Sequence, residues 1–316
     1  MTKNSSSRYK YIFGPVASRR LGISLGVDLV PSKTCTLDCI YCESGQTTCK
    51  TTQRDEYVSV QSVKDELNDL LSDNPKLDFI TFSGSGEPTL NSGIGEIIDF
   101  LKLDYPKYKV ALLTNGTLFH NPHVRKDILE ADIVKASMDA GSEKLFFDIN
   151  RPHQDLNFTQ MIDGLVTFRK EYHKEYAVEV FFIPGMNDSS SSLKQISQIL
   201  GIIKPDTVQL NTLDRPGVVG DLKPVGPSFL EKASLYLDHA QILHYSGLET
   251  KLQNIDKGYS LRLLSTLKRR PLTAQDISKV SGIGLAEVYR WLEELIKSEK
   301  IEKKRLNRGI FYTLKQ

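Results

Sequence analysis

Three cysteines fall within eight positions, Cys35-Thr-Leu-Asp-Cys39-Ile-Tyr-Cys42, in a chain of 316 residues that has four in all. Thiolates crowded in this way are suited to gripping a soft metal centre. The stretch that carries them runs from Pro31 to Thr48, with the small pair Ser44-Gly45 just after the last sulfur. Structural zinc takes four ligands, usually as two separated pairs, and no second Cys pair or His-x3-5-His follows here. Three thiolates on one short loop suit an iron–sulfur cluster, and three ligands on a four-iron cube leave one iron open to a substrate or cofactor. The competing readings are a zinc site completed by a remote ligand, a disulfide framework and unligated buried thiols. Disulfides are disfavoured in a long chain whose N-terminus has no secretory signal. Cys49 stands apart and reads as incidental, with an auxiliary ligand or a redox-active thiol as the alternatives.

A chain of this length, 40% apolar, can build one large α/β domain and a small one. No run of 18 apolar residues occurs, and the polar start Met-Thr-Lys-Asn-Ser-Ser-Ser lacks an apolar core, so no membrane contact and a cytoplasmic location are expected. The net charge of +2 conceals an asymmetry. From Gly258 onward 13 Lys and Arg face 6 Asp and Glu, a balance of +7, while the remainder has 28 against 33, or −5. An acidic body with a basic tail follows, and the tail is compatible with an RNA or DNA partner.

The elements that must carry the cysteines come next. Residues 23–30 alternate as a strand does and lead straight into the cysteine loop. Ahead of them, Gly14, Pro15 and Gly22 imply a shaped loop that presents Arg19 and Arg20, either to solvent or to an anion. Ser62 and Asp65 read as a capping box for a helix over 62–73, with Val63, Leu67, Leu70 and Leu71 on one face. Short apolar runs fit buried parallel strands at 77–83, 109–114, 133–138, 178–183 and 207–210. Helical spacing separates them near 94–103, 124–130, 159–172 and 193–202. With the first strand this makes six βα units, enough for an open partial barrel and two short of a closed one, with chemistry expected at the C-terminal strand ends.

Those ends are polar or glycine-rich. Ser83-Gly84-Ser85-Gly86-Glu87-Pro88-Thr89 follows the second strand, where glycine lets a backbone approach a ligand and Pro88 fixes the exit. Asn115-Gly116 ends the third as a turn. On the fourth, Lys135, Ser137 and Asp139 share one face by the period of two, as a ligand site or a buried ion pair. Arg151 in Asn150-Arg151-Pro152-His153 could hold a carboxylate, and His153 could shuttle a proton, as His120 and His123 could. Gln209 and Asn211 share a face on the sixth strand.

With Tyr41 just before the last cysteine, C-x3-C-x2-C resembles the signature of the radical S-adenosyl-L-methionine (SAM) superfamily. That resemblance implies one 4Fe-4S cluster on Cys35, Cys39 and Cys42, SAM bound at the open iron, a low-potential electron donor and a 5′-deoxyadenosyl radical that takes a hydrogen from substrate. Gly84, Gly86 and Glu87 look like the superfamily's Gly-Gly-Glu-Pro element that contacts SAM, with Ser85 in place of one glycine. By the same resemblance Tyr41 packs near the adenine, and Asn115, Lys135, Ser137, Asp139, Arg151 and Asn211 join the SAM contacts. The turn at Ile183-Pro-Gly185-Met-Asn187 resembles the element beneath the adenine. Phe13-Gly-Pro, Ser-Arg-Arg-Leu-Gly22 and Gln209 to Pro216 make 9–216 most similar to the branch of the wyosine-type tRNA-modifying enzymes.

The organisation expected is a radical SAM partial (β/α)6 barrel over 1–225, a helical linker over 226–257 and a small domain over 258–316. The last resembles a winged helix-turn-helix: a helix over 260–268, Thr273 to Asp276 capping a second, a turn at 281–284, and a third with Leu285, Val288, Leu292 and Leu295 on its core face. A hairpin follows around Asn307-Arg308-Gly309. Glu287, Glu293 and Glu294 beside Arg290 suit base edges poorly, whereas Lys303, Lys304, Arg305 and Arg308 suit phosphates. A tRNA or other nucleic acid is the first substrate reading and a peptide or protein the second. An iron–sulfur transcriptional regulator is the non-enzymatic rival.

Overall fold

The computed structural model describes residues 9–18, 21–215, 217–219, 222–243, 259–306 and 308–315, and of 259–262 the backbone alone. Arg19, Arg20, Pro216, Asn307 and residues 244–257 of the expected linker therefore lie outside the described residues. The chain opens with β1 (Ile12–Ser18) and β2 (Gly22–Val27), an antiparallel pair. Here the expected loop is an edge strand instead. Gly14, at φ +93°, and Pro15 sit in an irregularity between Phe13 and Val16, so the turn-forming residues interrupt the ladder without ending the strand.

After β2 come the two-residue strands β3 (Thr34–Cys35) and β4 (Cys49–Lys50), which pair in parallel and close the cysteine loop at its base. Helix α1 (Val60–Leu71) buries Val63, Leu67, Leu70 and Leu71 as the spacing predicts, but its cap is Ser59, which accepts from the Ser62 N–H. The order then alternates through β5 (Phe79–Phe82), α2 (Ile94–Asp104), β6 (Lys109–Thr114), α3 (Pro122–Asp127) and β7 (Ile133–Ser137). It continues with α4 (Glu143–Asn150), α5 (Phe158–Glu171), β8 (Glu175–Phe182), α6 (Ser190–Ile203) and β9 (Thr207–Thr212). Helix α4 has no counterpart in the sequence reading: eight residues show too little of a 3.6 period to stand out, and Ser142 caps it.

The expected helical linker, where it is described, resolves into α7 (Pro227–Tyr236) and β10 (Ala240–Ile242). Leu230, Ala233 and Leu237 join the main core, and β10 pairs in parallel with β9. The stretch read as a linker thus adds a seventh parallel strand, since a βα unit reads as a plain helix when its strand is only three residues long. Among the described residues the sheet has eight strands in the order β1-β2-β5-β6-β7-β8-β9-β10, open at both edges. Apart from the antiparallel β1–β2 edge, β2 and β5 to β10 pair in parallel with one another, so their C-terminal ends rise together on one side.

The C-terminal unit comprises α8 (Tyr259–Arg269), β11 (Leu272–Thr273), α9 (Ala274–Ser281), α10 (Leu285–Lys297), β12 (Ile301–Leu306) and β13 (Gly309–Leu314). Thr273 and Asp276 form the expected capping box, and Gly282 closes α9 at φ +70°. Leu263, Leu267, Ile277, Val288 and Leu292 share a separate core. Leu285, expected in it, is 41% exposed, because the first turn of α10 overhangs the packed face.

The unit is fastened to the sheet by buried polar contacts. Arg269 Nε donates to Asp28 Oδ2 at 2.7 Å, Gly14 N–H to Thr266 Oγ1 at 3.1 Å, and Ser44 Oγ to the Arg269 carbonyl at 3.3 Å. Arg308, expected to meet phosphate, is held at 3.1 Å by Asp276 and 3.3 Å by Asp214. Replacing one partner of a buried pair strands the other charge. Arg269→Met is therefore expected to destabilise the protein by about 3 kcal/mol, measured by urea unfolding, whereas an unchanged midpoint would mean the contact is incidental.

Candidate active site

The cysteine loop is seated by its backbone. Lys33 N–H donates to the Ser85 carbonyl at 2.9 Å and Glu87 N–H to the Thr34 carbonyl at 3.1 Å, stitching the loop to the stretch that follows β5. Gly86 permits this approach, since a Cβ there would lie 1.9 Å from the Thr34 oxygen. On its other flank the loop leans on the end of α4, with Asp38 N–H to Asn150 O and Ile40 N–H to Ile149 O, both at 3.0 Å.

The loop holds all three sulfurs partly buried at the C-terminal end of the sheet, and no cysteine is in a disulfide. Each sulfur meets a different N–H donor. Asn115 Nδ2 lies 3.6 Å from Cys35 Sγ, Asn150 Nδ2 lies 3.4 Å from Cys39 Sγ, and Lys33 Nζ lies 3.6 Å from Cys42 Sγ. Burial pushes the Cys35 thiol up to about 12, with the Glu87 charge second, and burial followed by the Asp139 charge raises Cys39. Thiolates here need a cationic centre to offset desolvation, which bound iron supplies.

Among the described residues no group of three His, Cys, Asp or Glu converges on a single metal ion. A 4Fe-4S cube makes no such demand, because each thiolate caps a different iron and the sulfurs stay spread apart. The donor set, soft sulfurs with an N–H aimed at each, fits that cluster.

Beneath the loop lies a network of carboxylates that are fully occupied. Glu87, 2% exposed, accepts from Thr89 N–H and Oγ1, from Thr114 Oγ1 at 2.6 Å and from Asn115 N–H at 2.8 Å. Burial raises its pKa while those donors pull it down. Asp139 Oδ2 accepts from Tyr41 Oη and from Asn150 Nδ2, and its Oδ1 from Phe181 N–H at 2.9 Å. Burial lifts Asp139 to about 6 against these donors. The Tyr41 ring stacks on Phe181, centroids 4.0 Å apart and 9° from parallel. Asn187, fully buried, donates to the carbonyls of Asp139 and Phe181, both at 2.8 Å, which fixes the turn after β8.

A family model described as the radical SAM superfamily matches residues 29–193, from the exit of β2 into α6. The chain belongs to the radical SAM superfamily. A UPF0026 protein of Helicobacter pylori (strain ATCC 700392 / 26695) is 33% identical over 305 residues, covering 95% of this chain and 96% of that protein. A protein of Brachyspira hyodysenteriae named GTPase Obg is 35% identical over 315 residues, and this chain spans only 46% of its length. No G-x-x-x-x-G-K-S/T phosphate loop occurs in this sequence, so the GTPase name stays with that protein.

Two solved folds are similar. A radical SAM methyltransferase from Sphaerobacter thermophilus has a TM-score of 0.54 at 16% identity, covering 69% of this chain and 65% of that one. TYW1 with a lysine-pyruvate adduct bound has 0.52 at 15%, covering 72% and 75%. Both likenesses are of fold. Membership of the radical SAM superfamily implies a 4Fe-4S cluster and SAM, and no helix among the described residues is long and apolar enough to cross a membrane.

Within this radical SAM fold, Cys35, Cys39, Cys42, Tyr41, Gly84, Gly86, Glu87, Asn115 and Asp139 gather around the loop. Lys135 pairs with Glu179 at 2.7 Å, both side chains largely buried, so the amine answers a carboxylate of the adjacent strand and not Asp139. Ser137 is half-buried at the end of β7, and Asn211 is buried on β9. Arg151 caps α4 at φ +45° and turns outward, with its guanidinium 48% exposed and 4.0 Å from Asp38. His120 and His123 are exposed, and His153 ties its backbone N–H to Thr36 O at 2.9 Å.

The roles of Lys33, Asn150 and Glu179 emerge only from the structure. A lysine two residues before the first cysteine was a usable sign; nothing local marks Asn150 or Glu179, which meet their partners only through the sheet.

Two outcomes are expected. Gly86→Ala forces the Thr34 carbonyl away, and the purified variant should hold less than about a tenth of the wild-type iron by colorimetric assay. For Asp139, a folded pKa of about 6 against an ordinary 3.8 means that the fold favours the protonated acid. Its contribution is therefore full below about pH 4 and lost as pH rises through 6, by about 3 kcal/mol relative to Asp139→Asn. Urea unfolding of the cluster-free chain between pH 4 and 7 reads this difference, and a flat difference would contradict it.

Proposed function

We propose that this enzyme holds one 4Fe-4S cluster on Cys35, Cys39 and Cys42, binds SAM beside it, and uses them to modify a tRNA or another nucleic acid. The observation that carries the reading is the trio of sulfurs, each facing its own N–H donor at the mouth of a parallel sheet. When bound, the cluster and SAM supply reductive cleavage to a 5′-deoxyadenosyl radical that takes a hydrogen from substrate, the electron coming from a low-potential donor.

The chain's own residues do the rest. Asn115, Asn150 and Lys33 stabilise charge on the three sulfurs. Glu87 locks the loops after β5 and β6 to one another, so that Gly84, Gly86 and Asn115 present backbone and amide groups toward SAM. Tyr41, closed on Phe181 and Asp139, keeps water from the loop's inner side. Lys135, Ser137 and Asn211 line the strand ends as further SAM contacts, and Arg151 extends that set at the rim.

We read the C-terminal unit, three helices followed by a hairpin, as a winged helix-turn-helix that brings substrate. Lys303, Lys304 and Arg305 are exposed along β12, free of the docking that occupies Arg308, and suit a phosphate backbone. A peptide or protein substrate is the second reading, favoured by the exposed Leu285, Tyr289 and Ile310 on the same unit.

Anaerobically reconstituted protein given SAM and dithionite should release 5′-deoxyadenosine, detected by chromatography and mass spectrometry, and each of Cys35→Ala, Cys39→Ala and Cys42→Ala should abolish it. A protein that binds iron yet never cleaves SAM would instead be a regulator. Reversing Lys303, Lys304 and Arg305 to Glu should weaken RNA binding by roughly a hundredfold at low salt, and an unaltered affinity would favour the peptide.

A further inference from the structure

We propose that a cavity between the sheet and the C-terminal unit binds an anionic group of the substrate, a phosphate or a carboxylate. The inference rests on the chain acting as an enzyme on a substrate held at the strand ends. The cavity, about 180 Å³, lies against β1, β2 and β5 and reaches Glu43 and Ser44 of the cysteine loop and Gly84 after β5. Its described lining residues include Arg215, Arg269, Arg270 and one carboxylate, Glu43; behind that wall Asp28 pairs with Arg269 and Asp214 lies 3.9 Å from Arg215. Two of these arginines belong to the C-terminal unit, so the site is complete only when that unit is docked.

Arg215 is the residue that marks the place. It is 5% exposed, and Nη1 bonds Glu43 Oε2 at 2.6 Å, yet its Nε–H, equally buried, has no hydrogen-bond acceptor among the described residues. A guanidinium offers a planar fork matched to two oxygens, and a native protein rarely buries one of its N–H groups without an acceptor. A bound oxyanion supplies that acceptor. Arg269 is anchored by Asp28 and Arg270 donates to the Ala17 carbonyl at 3.2 Å, which holds both guanidinium groups at the cavity wall.

A neighbouring cleft of about 790 Å³ shares Glu43 and Ser44 with the cavity and is lined by Lys33, Lys268, Lys304 and Lys315 together with Glu302. An anionic head in the inner cavity and the body of the substrate in the cleft account for both spaces.

The test titrates anaerobically reconstituted full-length protein with inorganic phosphate, followed by 31P NMR, and separately with malonate, followed by 13C NMR. Saturable binding of either anion is expected, falling roughly tenfold in Arg215→Lys and in Arg270→Met and unchanged in Lys232→Met on the exposed face of α7. Phosphate alone points to a nucleotide-bearing substrate and malonate alone to a carboxylate, and each outcome supports the site. Arg215→Lys keeps the pairing charge for Glu43, and thermal melts identify variants that fold, so Arg270→Met carries the comparison if Arg215→Lys does not. Binding of neither anion, or equal binding by folded variants, overturns the proposal. Release of 5′-deoxyadenosine is scored on the same preparation: if it persists without anion binding, this site fails and the enzymatic reading stands, and the reverse result separates them the other way.

Discussion

The structure turns on one close backbone approach, the Thr34 carbonyl lying where a side chain on Gly86 would otherwise be. A loop of three soft ligands has little apolar surface of its own with which to order itself. Here order comes from main-chain hydrogen bonds to two neighbours, the Ser85–Glu87 backbone on one flank and the end of α4 on the other. Both neighbours are fixed by parallel strands, so the rigidity of the sheet is passed to the sulfurs. Glycine at 86 is a geometric requirement of that arrangement and needs no separate ligand-based explanation.

Around the loop, carboxylates act as internal braces. Glu87 gathers donors from the loops after β5 and β6, and Asp139 gathers them from the cysteine loop, α4 and β8. Each is buried, each pays a desolvation penalty that lifts its pKa, and each retains enough donors to stay useful as an acceptor. A residue such as Asn150 then serves twice, its single amide nitrogen reaching both Asp139 and Cys39. Such sharing ties the position of one sulfur to the end of the fourth parallel strand.

The C-terminal unit changes the meaning of the chain's charge asymmetry. Part of its basicity faces inward: Arg269 meets Asp28 and Arg308 meets Asp214, which holds the unit against the acidic body, while Asp276 of the unit itself braces Arg308. Lys303 to Arg305 face outward. One pool of positive charge thus splits into docking and presentation, a division that counting charges along the chain does not reveal.

The sequence alone determined the cysteine trio, the alternation of strands and helices, the placement of polar residues at strand ends and the separate basic tail. These are local properties: spacing of like residues, hydrophobic period and capping chemistry are all written within ten or twenty positions. What only the tertiary structure decided is which groups meet. Lys135 goes to Glu179 and not to Asp139, Arg151 turns to solvent, the run before β2 becomes an edge strand, and the supposed linker contributes β10. Asn150 and Arg215 acquire their roles from Cys39 and Glu43, 111 and 172 residues away, because a parallel sheet sets neighbours by crossover topology and no local pattern records which side chain will arrive across the gap.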